Sequence, residues 1–176
     1  RGNKIIDDSY NNDIDGLRLA LPLLMKYELK KKILIMFNPS KDQVRDFFCL
    51  TWKKQQDSGV LSPLESIAAR WMVEHPEYHA LLNNAEDAKA QDFTVENGQT
   101  NPFLHLSMHM SLSEQIQIDQ PAGIRKISQI LMIRHDDEHR AHHQMMECLG
   151  KVLWEASRAG TAPDMNRYIE ELNQLI

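Results

Sequence analysis

Helix start and stop signals punctuate this chain from Asn38 onward. Asn38-Pro39-Ser40 offers Ser40 as an N-cap, and Lys41–Gln56 then carries Val44, Phe47, Phe48 and Trp52 along one face, with Gly59 just past the end. Ser62-Pro63-Leu64-Glu65 places Ser at N-cap, Pro at the first helical position and Glu at N3, and announces a second helix through Ile67, Trp71 and Met72. His75-Pro76 marks a break, because a residue before proline is pushed out of the helical region. Glu77–Leu82 reads as a further turn or two. Asn83 to Thr100, with Asn97-Gly98 as a turn signal, is the longest expected loop.

Asn101-Pro102 opens a third long helix with Leu104, Met108, Leu112 and Ile116, ending near Asp119-Gln120-Pro121-Ala122-Gly123. The stretch from Gly123 to Ser157 can be one helix or two, since Arg134-His135-Asp136-Asp137 interrupts its apolar spacing. Gly160 closes it, and a short terminal helix runs from Asp164 to Ile176. The fold expected is all-α: an antiparallel helical bundle of about four main helices.

The N-terminal stretch reads differently. Lys4–Ile6 and Lys32–Ile35 look like strands, and Leu17, Leu21 and Leu24 between them keep a helical spacing that Pro22 would kink. Such a βα(β)-like piece cannot bury both faces of a parallel sheet alone. The chain is therefore read as residues 1–35, an N-terminal extension or fusion remnant, followed by a helical domain over residues 36–176.

Composition narrows the function classes. With 42% hydrophobic residues in 176, one core is affordable and two are not. A formal net charge of −5 argues against a chain that works by neutralising nucleic-acid phosphates; Lys30–Lys32 and Lys53–Lys54 are too short to reverse that. No apolar run approaches the roughly 18 residues a membrane span needs, and no secretory signal is recognisable, so a cytoplasmic protein is expected. Cys49 and Cys148 both fall inside expected helices, which reads as two buried, reduced thiols and not a disulfide.

Histidine carries the chemistry. Of eight histidines, five fall in two groups, His105 with His109 and His139 with His142 and His143. Residues four apart on a helix differ by roughly 40° in azimuth, so His105 and His109 share one face and His139 and His143 another. Neutral imidazole suits zinc, iron, nickel or copper, and facing helices of a bundle can present such ligands to one ion. The expected ligands are His105, His109, His139 and His143. Glu138, Glu147 and His142 are further candidates, as ligands, as partners that orient an imidazole, or, for the carboxylates, as a base on metal-bound water. Equally open is a buried histidine–carboxylate network that only fixes helix register, in a non-catalytic protein that works through a protein partner or a second copy. Whether the chain is an enzyme is left open. His75 and His79, separated by Pro76, read as surface residues.

Two resemblances add to this reading. The run Asp7-Asp8-Ser9-Tyr10-Asn11-Asn12-Asp13 with Gly16-Leu17 and Leu19-Ala20-Leu21 resembles the opening of the C-terminal domain of Mur-type peptidoglycan ligases, within residues 4–35 only; without a phosphate-binding loop the ligase activity is not implied. From Met36 onward the blocks Met36-Phe37-Asn38-Pro39-Ser40, His75-Pro76-Glu77-Tyr78-His79, Asn101-Pro102-Phe103-Leu104-His105-Leu106-Ser107-Met108-His109 and Met146-Glu147-Cys148-Leu149-Gly150 resemble the bacterial domain of unknown function 1841. That resemblance implies Met36 as the natural start and implies no activity. His105, His109, His139 and His143 match its positions, whereas His142 looks peculiar to this chain.

Overall fold

The computed structural model describes residues 40–93 and 100–176. The strands and helix read within residues 1–35, their ligase resemblance and the Asn97-Gly98 turn lie outside the described residues. In chain order the described elements are α1 (Lys41–Gln56), α2 (Pro63–Val73), a 3-10 turn (Pro76–Tyr78), α3 (His79–Leu82), α4 (Ala85–Ala90), α5 (Pro102–Ile118), α6 (Ile124–His135), α7 (Glu138–Ala159) and α8 (Met165–Asn173). No strand occurs among the described residues, in agreement with the all-α expectation. None of their helices is long and apolar enough to cross a membrane.

The caps explain the boundaries. Ser40 Oγ accepts the N–H of Gln43 while the Gln43 side chain accepts the Ser40 N–H, and Ser62 and Glu65 form the same reciprocal box on α2. Asn101 Oδ1 accepts from the N–H groups of Phe103 and Leu104 at the start of α5. Gly160, at φ +62°, ends α7 in the left-handed conformation that glycine adopts without a Cβ penalty.

One expectation changes, and one left open is decided. The long loop contains α4, whose N-cap is Asn84, its Oδ1 accepting the Asp87 N–H; the helix is too short and too polar to show an apolar period. The stretch from Gly123 divides at Asp136, which sits at φ +50° and ends α6, and Asp137 then caps α7 by accepting the Arg140 N–H. With that division, five described helices reach eleven residues or more, where about four are expected.

Two apolar clusters make the core. One packs Leu104, Met108 and Leu112 of α5 against Ile124 and Leu131 of α6, Met145, Leu149 and Leu153 of α7, and Tyr168 and Leu172 of α8. The other packs Phe103, Leu106 and Met110 of α5 against Phe48 and Trp52 of α1, Trp71 and Met72 of α2, and Leu82. Helix α5 belongs to both, so it is buried on nearly every side and shows no single apolar stripe. Cys49 and Cys148 are buried free thiols, as expected.

Arg45 is the one cation buried in this core among the described residues, 3% exposed. Its Nη1 donates to the carbonyls of Ala88, Lys89 and Gln91, closing the C-terminal end of α4. Its ring of contacts is completed by Phe93 and Phe103, whose faces lie 5.3 and 5.2 Å from the guanidinium carbon. Arg45→Ala would take this shared donor away from the three carbonyls and leave a void between the rings. It is expected to cost about 2–4 kcal/mol in urea unfolding, with α4 exchanging its amide hydrogens first.

Candidate metal centre

The site forms where the end of α2, the middle of α5 and the first turns of α7 meet. His75 arrives there because Pro76 bars it from the helical region: its backbone sits at φ −122° and ψ 66°, which turns the chain after α2 and brings the imidazole inward. The ring is 2% exposed. The surface position read for His75 is thus overturned. His79, half-buried, sits apart from the cluster: its Nε2 bonds the Met72 carbonyl at 2.7 Å and its ring stacks on Trp52 at 4.1 Å.

Four nitrogen atoms, one each from His75, His109, His139 and His143, lie within 4.8 Å of one another. The Nε2 atoms of His109 and His139 are each 3.0 Å from the Nε2 of His75. On its other side His75 Nδ1 is 2.8 Å from a carboxylate oxygen of Glu77. A carboxylate accepts only, so Nδ1 of His75 carries the hydrogen, and its Nε2, in the neutral ring, has a single lone pair turned toward two other imidazole nitrogens. One lone pair serves one hydrogen bond well. A cation at the common point serves all of these nitrogens at once. In a tetrahedral zinc site with Zn–N of 2.0–2.1 Å the N···N edge is about 3.3–3.4 Å, a few tenths longer than the two 3.0 Å separations at His75.

Of the residues expected as ligands, the structure gathers His109, His139 and His143. His105 stands beside them, its ring 4.6 Å from His75 and 4.9 Å from both His109 and His143, nearly edge-on to each. His142 lies behind His109, the two Nδ1 atoms 3.4 Å apart, and its Nε2 is 4.0 Å from Glu138, which pairs with Arg70. That places His142 and Glu138 where they could orient His109 instead of touching an ion. Glu147, a turn beyond His143, is outside the gathered group, and burial pushes its carboxyl up.

Trp71 forms one wall. It stacks on His109 at 4.1 Å and lies 4.4 Å from the His142 ring, while its Nε1–H donates to Ser113 Oγ. Desolvation by these surroundings favours the neutral form of five imidazoles: His105 is pushed down to about 2, His142 to about 3 and His143 to about 4, while His109 and His75 are lowered as well, burial being the largest cause throughout. Neutral imidazole is the ligand form. Nε2 of His143 and both nitrogens of His105 are buried without a hydrogen-bond partner.

A pH dependence follows. In the unfolded chain these histidines titrate near 6.5. Their folded values are lower, so the unfolded state binds more protons in acid, and the metal-free protein keeps its full stability above about pH 6.5 and loses it as pH falls toward 4 and below. Chemical unfolding of metal-free protein at a series of pH values should show the loss; a flat profile between pH 7 and 5 would contradict it.

The sequence pattern of the family described as Domain of unknown function (DUF1841) matches residues 40–174. No curated protein and no solved structure matches the chain.

Proposed function

This chain belongs to the DUF1841 family, a description that carries no activity, and from the site we propose that it is a helical protein built to hold one divalent transition-metal ion through His75, His109, His139 and His143. The observation that carries this reading is the convergence of three Nε2 atoms on one point while Glu77 turns the hydrogen of His75 away from it. A histidine–metal site commonly sets an imidazole in this way, with a carboxylate on the ring nitrogen remote from the ion. The donor set is all nitrogen. It therefore selects zinc, nickel or ferrous iron over magnesium or calcium, which prefer oxygen. In this reading His142 and Glu138 position His109, and Glu147 has no ligand role.

The competing reading is the histidine–carboxylate network without an ion, and the His75–Glu77 bond favours it. Against it stand the unpartnered nitrogens of His105 and His143, since a finished structural network satisfies its buried polar atoms. Equilibrium dialysis of tag-free protein against zinc, nickel and ferrous iron, followed by elemental analysis, separates the two. One ion per chain supports the metal reading. No bound ion with any of the three metals supports the network.

A further inference from the structure

Among the cluster histidines, His105 is left without an assignment. It lies one turn before His109 on α5, and its ring contacts are with His75, His109, His143 and Tyr78. Trp71, by contrast, contacts His109, His139 and His142. The four gathered nitrogens are therefore flanked on one side by an aromatic wall that offers no donor to them, the Trp71 N–H being spent on Ser113. On another side is a polar ring with both nitrogens free. A neutral imidazole has one N–H and one lone pair, and burying both unused is costly.

The four donor atoms lie within 4.8 Å of one another, a looser group than the about 3.4 Å edges of a tetrahedral site, so as placed they do not form a closed tetrahedron. No carboxylate is among the four donors, so no ligand atom neutralises a divalent ion there, and it favours a negative fifth ligand.

Resting on the metal reading above, we propose that the ion has an open position facing His105, that this position takes water or a small anion, and that His105 hydrogen-bonds that exogenous ligand without touching the metal. His105 would then be a positioning residue for the bound molecule, and Tyr78, whose ring lies 5.8 Å from it, would limit the size of what fits.

Cobalt(II)-loaded protein titrated with sodium azide, followed by visible absorption, tests this. Native protein is expected to bind one cobalt and to show a saturable azide-dependent band. His105→Leu should keep one cobalt with affinity changed less than about threefold while azide affinity falls at least tenfold, and His105→Gln, which retains a donor and an acceptor, should recover most of it. Loss of cobalt in both variants would make His105 a ligand and overturn the proposal. Equal azide affinity in native protein and His105→Leu, or no azide band in cobalt-loaded native protein, would overturn it too. Should His105→Leu fail to fold, His105→Phe, which keeps a ring of similar size without donor or acceptor, takes its place with the same expected and contradicting results. If native protein binds no cobalt, the metal reading itself falls, a result distinct from unaltered azide binding.

Discussion

Replacing His75 by alanine is expected to weaken metal binding at least a hundredfold, equivalent to about 2.7 kcal/mol. His75 is the hub of the cluster: its Nε2 lies 3.0 Å from the Nε2 atoms of both His109 and His139, and its Nδ1 is hydrogen-bonded to the Glu77 carboxylate. Its removal takes away one donor of four and the carboxylate that orders it. His79→Ala is the matched control. That ring bonds the Met72 carbonyl and stacks on Trp52, so its loss should cost stability of about 1 kcal/mol and leave metal affinity unchanged. Competition with a chromophoric chelator reads both variants. Equal affinities for His75→Ala and native protein would remove His75 from the site.

The second large effect is on thermal stability. The ligands come from the turn after α2, from α5 and from α7, elements that the chain brings together only on folding, so an ion that binds them binds the folded state alone. At free metal a thousand times the dissociation constant, linkage adds about 4 kcal/mol. For a domain of this size that raises Tm by on the order of 10–15 °C. A chelator should return Tm to the metal-free value. In the His75→Ala variant the metal-induced rise should shrink to a few degrees. Calorimetry that finds equal Tm with and without zinc, nickel or iron would mean that the cluster binds no ion tightly.

How far the sequence foretold this site depends on which residues are considered. His139 and His143 were legible from spacing alone, because α7 is amphipathic and positions four apart must share its inner face. His109 was legible for the same reason. His105 was harder to place, because α5 is buried on nearly all sides, so sharing a face with His109 does not say which neighbour that face meets. His75 was missed. It precedes a proline, and a helix break reads as surface, whereas here the break is what turns the imidazole inward. The available signal was Glu77 two residues on, a carboxylate within reach of a histidine held in a non-helical turn.

The helices divide in the same way. Where a cap opens a segment rich in apolar residues, as at Ser40, Ser62 and Asn101, the boundaries read from the chain agree with the observed ones. Helix α4 has a cap and no period; its stability comes from Arg45 donating to its terminal carbonyls across more than forty positions of sequence, which no local pattern records. The division between α6 and α7, left open by the interrupted spacing at Arg134-His135-Asp136-Asp137, is made by the left-handed conformation of Asp136, which an aspartate tolerates.

X-ray absorption at the metal edge, on protein loaded with one zinc or nickel and freed of excess, reads the ion's surroundings directly. The account predicts a first shell dominated by imidazole nitrogens at about 2.0–2.1 Å, with the multiple scattering of four rings, falling to three in His75→Ala. A shell made mainly of oxygen, or an imidazole count that His75→Ala leaves unchanged, would contradict it.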